Sequence, residues 1–248
     1  MSEPDVAGLL RHARDSYTSV VATIRSWSNA GALAAAWHQW TARQPRGSVV
    51  DLRPDSGGSE AASNGPSQEM ARLWTCKPWQ WRLESLSGPE RGAVLTISGP
   101  LWWRQDVHGI VWTNEGTSAL SSRSGVGLSQ SLLAMLDPAS LATDLRLKVV
   151  GQAVHATRPC LIVRGEPQDS SKPPIWPGVD EFRLLVDAER GILVHLSAQF
   201  EGADCAGDEF MDISFEEQVP SSTFTVTTSA GAVVRRIAAP DVPSGSVS

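Results

Sequence analysis

Apolar residues recur along the first part of the chain at two different periods. Val6, Leu9, Leu10, Ala13 and Tyr17 stand three and four residues apart, which predicts a helix over residues 4–17. Ser19 to Trp27 then alternates as a strand does, with Val20, Ala22 and Ile24 on one face and Val21, Thr23, Arg25 and Trp27 on the other. Asn29 is placed to cap a second helix, Ala30 to Arg43, whose Leu33, Trp37 and Trp40 share one stripe. Residues 45–67 are rich in Pro, Gly and Ser and read as a flexible insertion with room for a short strand at Ser48 to Leu52.

From residue 71 onward the pattern is extended. Arg72 to Thr75 and Trp79 to Glu84 are strands flanking Lys77-Pro78, and Ala93 to Ile97, Leu101 to Gln105 and Ile110 to Thr113 follow as a meander with turns at Ser98-Gly99-Pro100 and His108-Gly109. A helical stretch at 127–143 interrupts it: Leu128, Leu132, Leu133, Met135 and Leu136 form an apolar face of low charge. Strands resume at Leu145 to Val154 and Cys160 to Arg164. The clearest element is the hairpin of Glu181 to Val186 with Ile192 to Phe200, where Gly191 supplies the turn conformation. Glu209 to Glu216 and Thr223 to Thr227 complete the sheet, and the Pro- and Ser-rich tail at 239–248 is expected to be disordered. The order is helix, strand, helix, loop, then about ten strands with one helical insertion. That makes a mainly β chain with some helix, organised as a single domain over residues 1–238.

Composition narrows the function classes. The chain has 248 residues and a net charge of -6, which disfavours nucleic acid as a partner and adsorption to anionic lipid. Ten Trp stand against one Tyr and five Phe, and Trp is enriched at interfaces and in apolar pockets. Cys76, Cys160 and Cys205 show no C-x-x-C spacing, so they carry no zinc or redox pattern; three free thiols is the simpler reading, and a Cys160–Cys205 bridge stays open should their strands pair. No run of about 18 apolar residues exists, so no integral membrane segment is expected. The start shows no secretory leader and no lipobox-like Cys, and the expected location is the cytoplasm. The five His are scattered, and G-x-S-x-G, S-x-x-K and H-E-x-x-H are missing, so no catalytic residue, metal or cofactor is assigned. The acidic run Asp204 to Glu217 is read as a solvated outer strand face that discourages edge pairing.

Several short motifs carry a resemblance. Leu73-Trp74-Thr75-Cys76-Lys77-Pro78-Trp79-Gln80-Trp81-Arg82 is similar to an L-W-x-x-x-P-x-x-x-R/W strand pair. Leu95 to Trp103 is similar to a strand turn ending in Trp, with Gly99-Pro100 where an Asp-Gly is usual. Ser129 to Leu141 looks like a helical plug, Asp180 to Leu193 like a late hairpin, and Pro220 to Val226 like a closing P-x-x-x-F strand. Together, over residues 8–228, they resemble the LolA-like superfamily of lipoprotein carriers, mycobacterial lipoproteins and RseB-type regulator domains, with uncharacterised actinobacterial members closest. That resemblance implies a curved antiparallel sheet forming an incomplete β-barrel covered by helices, with an apolar cleft.

The function so implied is non-enzymatic binding of a lipid or other apolar small molecule in a Trp-lined cleft. Its candidate lining is Trp74, Trp79, Trp81, Trp102, Trp103 and Trp112, with Leu132, Leu133, Met135 and Leu136 as a plug. Trp79 and Trp81 are expected on one face, and Trp102 and Trp103 on opposite faces. Arg25, Arg72 and Arg82 are candidates for an internal guanidinium that bonds helix carbonyls. The alternative is a regulatory module that docks a protein partner through the curved sheet or through the helix bearing Trp37 and Trp40.

Overall fold

A computed structural model describes residues 5–44, 66–115, 128–168, 175–226 and 232–236. The expected insertion (except for residues 66 and 67), the loop before Leu128 and the tail lie outside them. The elements in chain order are α1 (Val6–His12), β1 (Ser19–Asn29), α2 (Ala30–Arg43), β2 (Pro66–Cys76), β3 (Gln80–Ser85), β4 (Val94–Ser98), β5 (Leu101–Gln105), β6 (Val111–Thr113), α3 (Gln130–Leu136), α4 (Leu141–Asp144), β7 (Leu145–His155), β8 (Arg158–Pro167), β9 (Glu181–Asp187), β10 (Leu193–Phe200), β11 (Ala203–Phe215) and β12 (Val234–Arg236). All strands join one sheet in the order β12-β6-β5-β4-β3-β2-β1-β11-β10-β9-β8-β7. The pairings from β2 to β6 and from β7 to β11 are antiparallel, while β12 runs parallel to β6. The order has two ends, so the sheet is open, as an incomplete barrel requires.

Two compact units emerge, one of Met1–Tyr17, Arg25–Gln68 and Gln130–Met211, the other of Thr18–Ile24, Glu69–Ser129 and Asp212–Ser248. The helix starts follow capping chemistry. The Asp5 carboxylate accepts from the Gly8 amide at 2.9 Å and the Asn29 side chain from the Ala32 amide at 3.1 Å, satisfying donors that a helix N-terminus leaves unpaired. In the first unit α3 packs against β10, and Leu132, Met135 and Leu136 are buried with Phe182, Leu184 and Leu196 among its core residues. The hairpin of β9 and β10 turns on buried Asp187. Its carboxylate accepts the amides of Glu189 and Arg190, each at 2.9 Å, and pairs with Arg158. Gly191 has φ +73°, and a Cβ there would meet the Leu9 carbonyl carbon at 2.7 Å, so the turn needs glycine for conformation and for space.

Three sequence expectations are corrected. Trp79 lies in the turn between β2 and β3, because β3 begins at Gln80; the two-residue rule therefore does not relate it to Trp81. Residues 221–224 form a 3₁₀ turn after Pro220 instead of a closing strand, and the strand that ends the order is β12. The acidic run is not an edge: β11 lies between β1 and β10, and its Asp208 and Glu209 are buried, held by the hydroxyl and guanidinium partners described below.

Candidate functional site

The meander of β2 to β5 fixes which side chains share a face. Register places Trp74 opposite Arg82, Arg82 opposite Thr96 and Thr96 opposite Trp103, in one row across four strands. The next row on the same face is Arg72, Glu84, Val94, Gln105 and Val111. Side chains alternate between faces, so the intervening rows point the other way: Leu73, Leu83, Leu95, Arg104 and Trp112 in one, Thr75, Trp81, Ile97 and Trp102 in the other.

A cavity of about 450 Å³ opens on the first face. Trp74, Arg82, Glu84, Val94, Thr96, Trp103 and Gln105 form its floor and walls, and residues of the 221–226 segment complete it. Strands about 4.8 Å apart put the backbones of the two Trp roughly 14 Å from each other, across three interstrand steps. Between them the Arg82 guanidinium donates to Glu84 through Nε at 2.7 Å and approaches it through Nη2 at 2.6 Å, while Nη1 donates to the Thr223 carbonyl at 3.1 Å. Of the three arginines singled out in the sequence, Arg82 is thus the one that bonds a helical carbonyl among the described residues, here in the 3₁₀ turn. Arg72 instead donates to Thr23 Oγ1 at 2.7 Å and Asp212 at 2.9 Å, with its guanidinium 5.8 Å from the Trp74 ring. Arg25 pairs with Glu209.

The predicted lining residues are divided by this geometry. Trp74 and Trp103 come together at the cavity. Trp102 is on the opposite face from Trp103 and buried, its backbone amide donating to Asn114 Oδ1 at 2.9 Å. Trp81 shares the Trp102 face, Trp112 lies on that face with Arg235 at 5.1 Å from its ring, and Trp79 is half-buried in the turn. Leu132, Leu133, Met135 and Leu136 belong to α3 in the other compact unit, all but the half-buried Leu133 enclosed. The sequence reading missed Glu84, Val94, Thr96 and Gln105. Their signal was the hairpin register, which carries them to the Trp74–Trp103 face once the β2–β3 and β4–β5 turns are placed.

A second polar cluster lies in the first unit. His195 Nδ1 is 3.2 Å from Glu209 Oε2 and its Nε2 is 3.2 Å from Ser197 Oγ. The Trp27 ring lies 5.4 Å from the imidazole and 5.8 Å from the Arg25 guanidinium. Burial lowers the His195 pKa, opposed by Glu209, and burial raises that of neighbouring Asp208, which bonds Ser26 and Ser131. Serine, histidine and glutamate are thus in contact in the order found in a hydrolytic triad. Ser197 is only 2% exposed, however, so its hydroxyl is closed to a substrate in this conformation.

Solved structures share the fold. The chain matches MucB with a TM-score of 0.53 at 16% identity, covering 90% of this chain and 62% of that one. An uncharacterised conserved protein from Thermus thermophilus matches with a TM-score of 0.52 at 11% identity, over 94% of this chain and 100% of that one. The fold is LolA-like. A MucA/MucB complex from Pseudomonas aeruginosa also matches, with a TM-score of 0.51 at 16% identity over 90% of this chain and 62% of the other, so the chain spans less than two thirds of MucB. Identities this low establish the fold alone. No family model matches, and no curated protein matches in sequence. The expected cytoplasmic location is corrected by these neighbours. MucB, which shares the fold, is described in complex with MucA(peri), against a cytoplasmic assignment. The cytoplasmic reading rested on how the sequence begins, which says nothing of what precedes it. Among the described residues no helix is long and apolar enough to cross a membrane.

Proposed function

We propose that this protein is a non-enzymatic binding protein that holds an amphipathic ligand in the cavity on the β2–β5 face. The observation that carries the reading is the pair Trp74 and Trp103 at either side of a 450 Å³ space with an ordered Arg82–Glu84 pair between them. That size is in the range of small-ligand sites, whose apolar walls supply affinity and whose few fixed polar groups orient the ligand. Indole faces offer large apolar contact with little side-chain entropy to lose. Nothing in the arrangement calls for chemistry: burial and release suffice.

The partner-docking alternative draws on MucB, which is described in complex with MucA. Its expected hot spot has less support, because Trp40 is buried, packs 5.3 Å from the Trp37 ring and backs onto Gly178. The binding reading is tested by native mass spectrometry of the full chain with organic extraction of whatever co-purifies. A small-molecule adduct that is lost in a Trp74→Ala/Trp103→Ala variant is the expected result. An adduct retained by that variant refutes the placement.

A further inference from the structure

The ligand must answer the polar groups of the cavity as well as its indoles, and those groups are selective. Seven lining residues are polar or charged (Arg82, Glu84, Thr96, Gln105, Ser222, Thr223 and Thr225), against Trp74, Trp103, Val94 and Val226. A hydrocarbon chain laid over them would remove water without replacing its hydrogen bonds, which is unfavourable for every polar group covered. The floor already holds one unmet group: the Thr96 hydroxyl, enclosed at the centre of the Trp74–Trp103 row, has no hydrogen-bond partner among the described residues.

Charge narrows the choice further. Arg82 is neutralised by Glu84, and Arg72 in the adjoining row by Asp212. An anionic head would have to compete with Glu84 for the guanidinium, and a cationic head with Arg82 for the carboxylate. What the pair still offers is mixed. A guanidinium has five N–H donors, and among the described residues three are directed at Glu84 and Thr223, which leaves two. Both bonds to Glu84 end on Oε1, so Oε2 retains acceptor capacity beside them. The Gln105 amide likewise both donates and accepts. A donor and an acceptor side by side match a pair of neighbouring hydroxyl groups, each of which donates and accepts. A sugar ring carries such hydroxyls on its rim and C–H groups on its faces, the faces suited to flat indole walls.

We infer that the cavity recognises a neutral, polyhydroxylated ring, free or as the head of an amphiphile, through the Arg82–Glu84 pair between Trp74 and Trp103. This inference rests on the binding reading above and specifies its ligand class. It is tested on the full chain by isothermal titration calorimetry with n-octyl β-D-glucopyranoside below its micelle concentration, and with octanoate, which has an alkyl tail of similar length on a carboxylate. The glucoside is expected to saturate one site and to bind about tenfold or more tighter than octanoate, the effect of roughly one well-formed set of hydrogen bonds. In Glu84→Gln, which keeps size and removes charge, the glucoside should weaken about tenfold while octanoate strengthens, because Arg82 is left without its counter-ion. Octanoate binding equal to or tighter than the glucoside in the wild type, at a site abolished by Trp103→Ala, overturns the polyol inference and leaves amphiphile binding standing. Absence of binding by both probes sinks both readings. Glucoside binding that survives Glu84→Gln and Trp103→Ala unchanged places the ligand elsewhere and overturns the inference, provided circular dichroism shows the variants folded.

Discussion

Gly207 is where the packing of the His195 cluster is most exposed to a single methyl group. It lies on β11 against the Trp27 ring. A Cβ added there would overlap Cζ2 of that ring, and it would stand 2.6 Å from Cη2 and 2.8 Å from the Leu196 carbonyl oxygen. Carbon atoms in contact sit about 3.5–4.0 Å apart, so in Gly207→Ala the indole must withdraw by roughly 1 Å or more. Trp27 cannot withdraw alone, since it packs 5.4 Å from His195 and 5.8 Å from Arg25, which is itself paired with Glu209. The Leu196 oxygen belongs to the β10 backbone and moves only with its ladder. Overpacking of this kind costs about 1–3 kcal/mol, and the rigid carbonyl puts the expectation at about 2–3 kcal/mol. For a chain of this length each kcal/mol lowers Tm by about 2–4 °C, so scanning calorimetry should find a loss of about 4–12 °C. Most of that loss comes from displacing the indole. In a Trp27→Ala background the penalty of Gly207→Ala should therefore fall by about half or more, leaving the share due to Leu196. An unchanged Tm in Gly207→Ala, or an equal penalty with and without the indole, refutes it.

Arg82→Ala should cost about 1–2 kcal/mol by stripping a charge-assisted partner from Glu84 and a donor from the Thr223 carbonyl. Amide exchange at residues 221–225 should then quicken, and unaltered exchange rejects the tie between Arg82 and that turn. For His195 the sign is set by burial, which holds its folded pKa below the ordinary value of about 6.5. Between about 6.5 and that lower value the unfolded chain takes up a proton the folded chain refuses, so stability falls as pH drops through the window and levels off below it. Asp208, raised by burial, works the other way, losing stability as pH rises from its unfolded value near 3.9. The measurement is therefore the difference between wild type and His195→Gln in urea unfolding at each pH. A difference that stays flat from pH 7.5 to 5 rejects the assignment to His195.

The elements were largely legible because their signals are local. The Asn29 cap, the Leu132–Leu136 face and the Gly191 turn each depend on a few neighbouring residues, and each is found where spacing and capping chemistry put it. The cavity was not legible for the same reason. Trp74 and Trp103 are 29 positions apart, and only the joint register of two hairpins sets them in one row. Nor could the pairing of His195 with Glu209 be read from spacing, since it depends on β10 meeting β11 in that phase. The acidic run misled because charge in a strand usually marks a solvated face. Here Arg25 and His195 hold Glu209, and Ser26 and Ser131 bond Asp208, so both are kept inside a central strand.

One residue of register decides what kind of ligand the β2–β5 face suits. In β-structure a slip by one position exchanges every side chain for its neighbour on the other face. Sliding β3 by one would bring Trp81 and Leu83 to the cavity in place of Arg82 and Glu84, and a similar slip of β5 would exchange Trp103 for Trp102. The resulting site would approach the greasy, Trp-lined cleft that a count of ten tryptophans suggests. Specific bonds oppose that slip. The Trp102 amide is held by Asn114, whose own side chain donates to the Pro100 carbonyl at 2.9 Å, and Thr113 Oγ1 donates to the Trp102 carbonyl at 2.9 Å. These side-chain bonds tie both ends of the β5 start to the residues at the end of β6, so the phase of the meander does not depend on apolar patterning alone. The same phase gives the opposite face Leu73, Leu83, Leu95 and Trp102, of which Leu73, Leu95 and Trp102 are buried. Apolar residues are thus spent on packing, and the open face keeps polar groups that a hydrocarbon alone would leave unsatisfied. The polyol preference proposed above therefore follows from which row of the sheet faces the cavity, a property that the fold by itself does not fix.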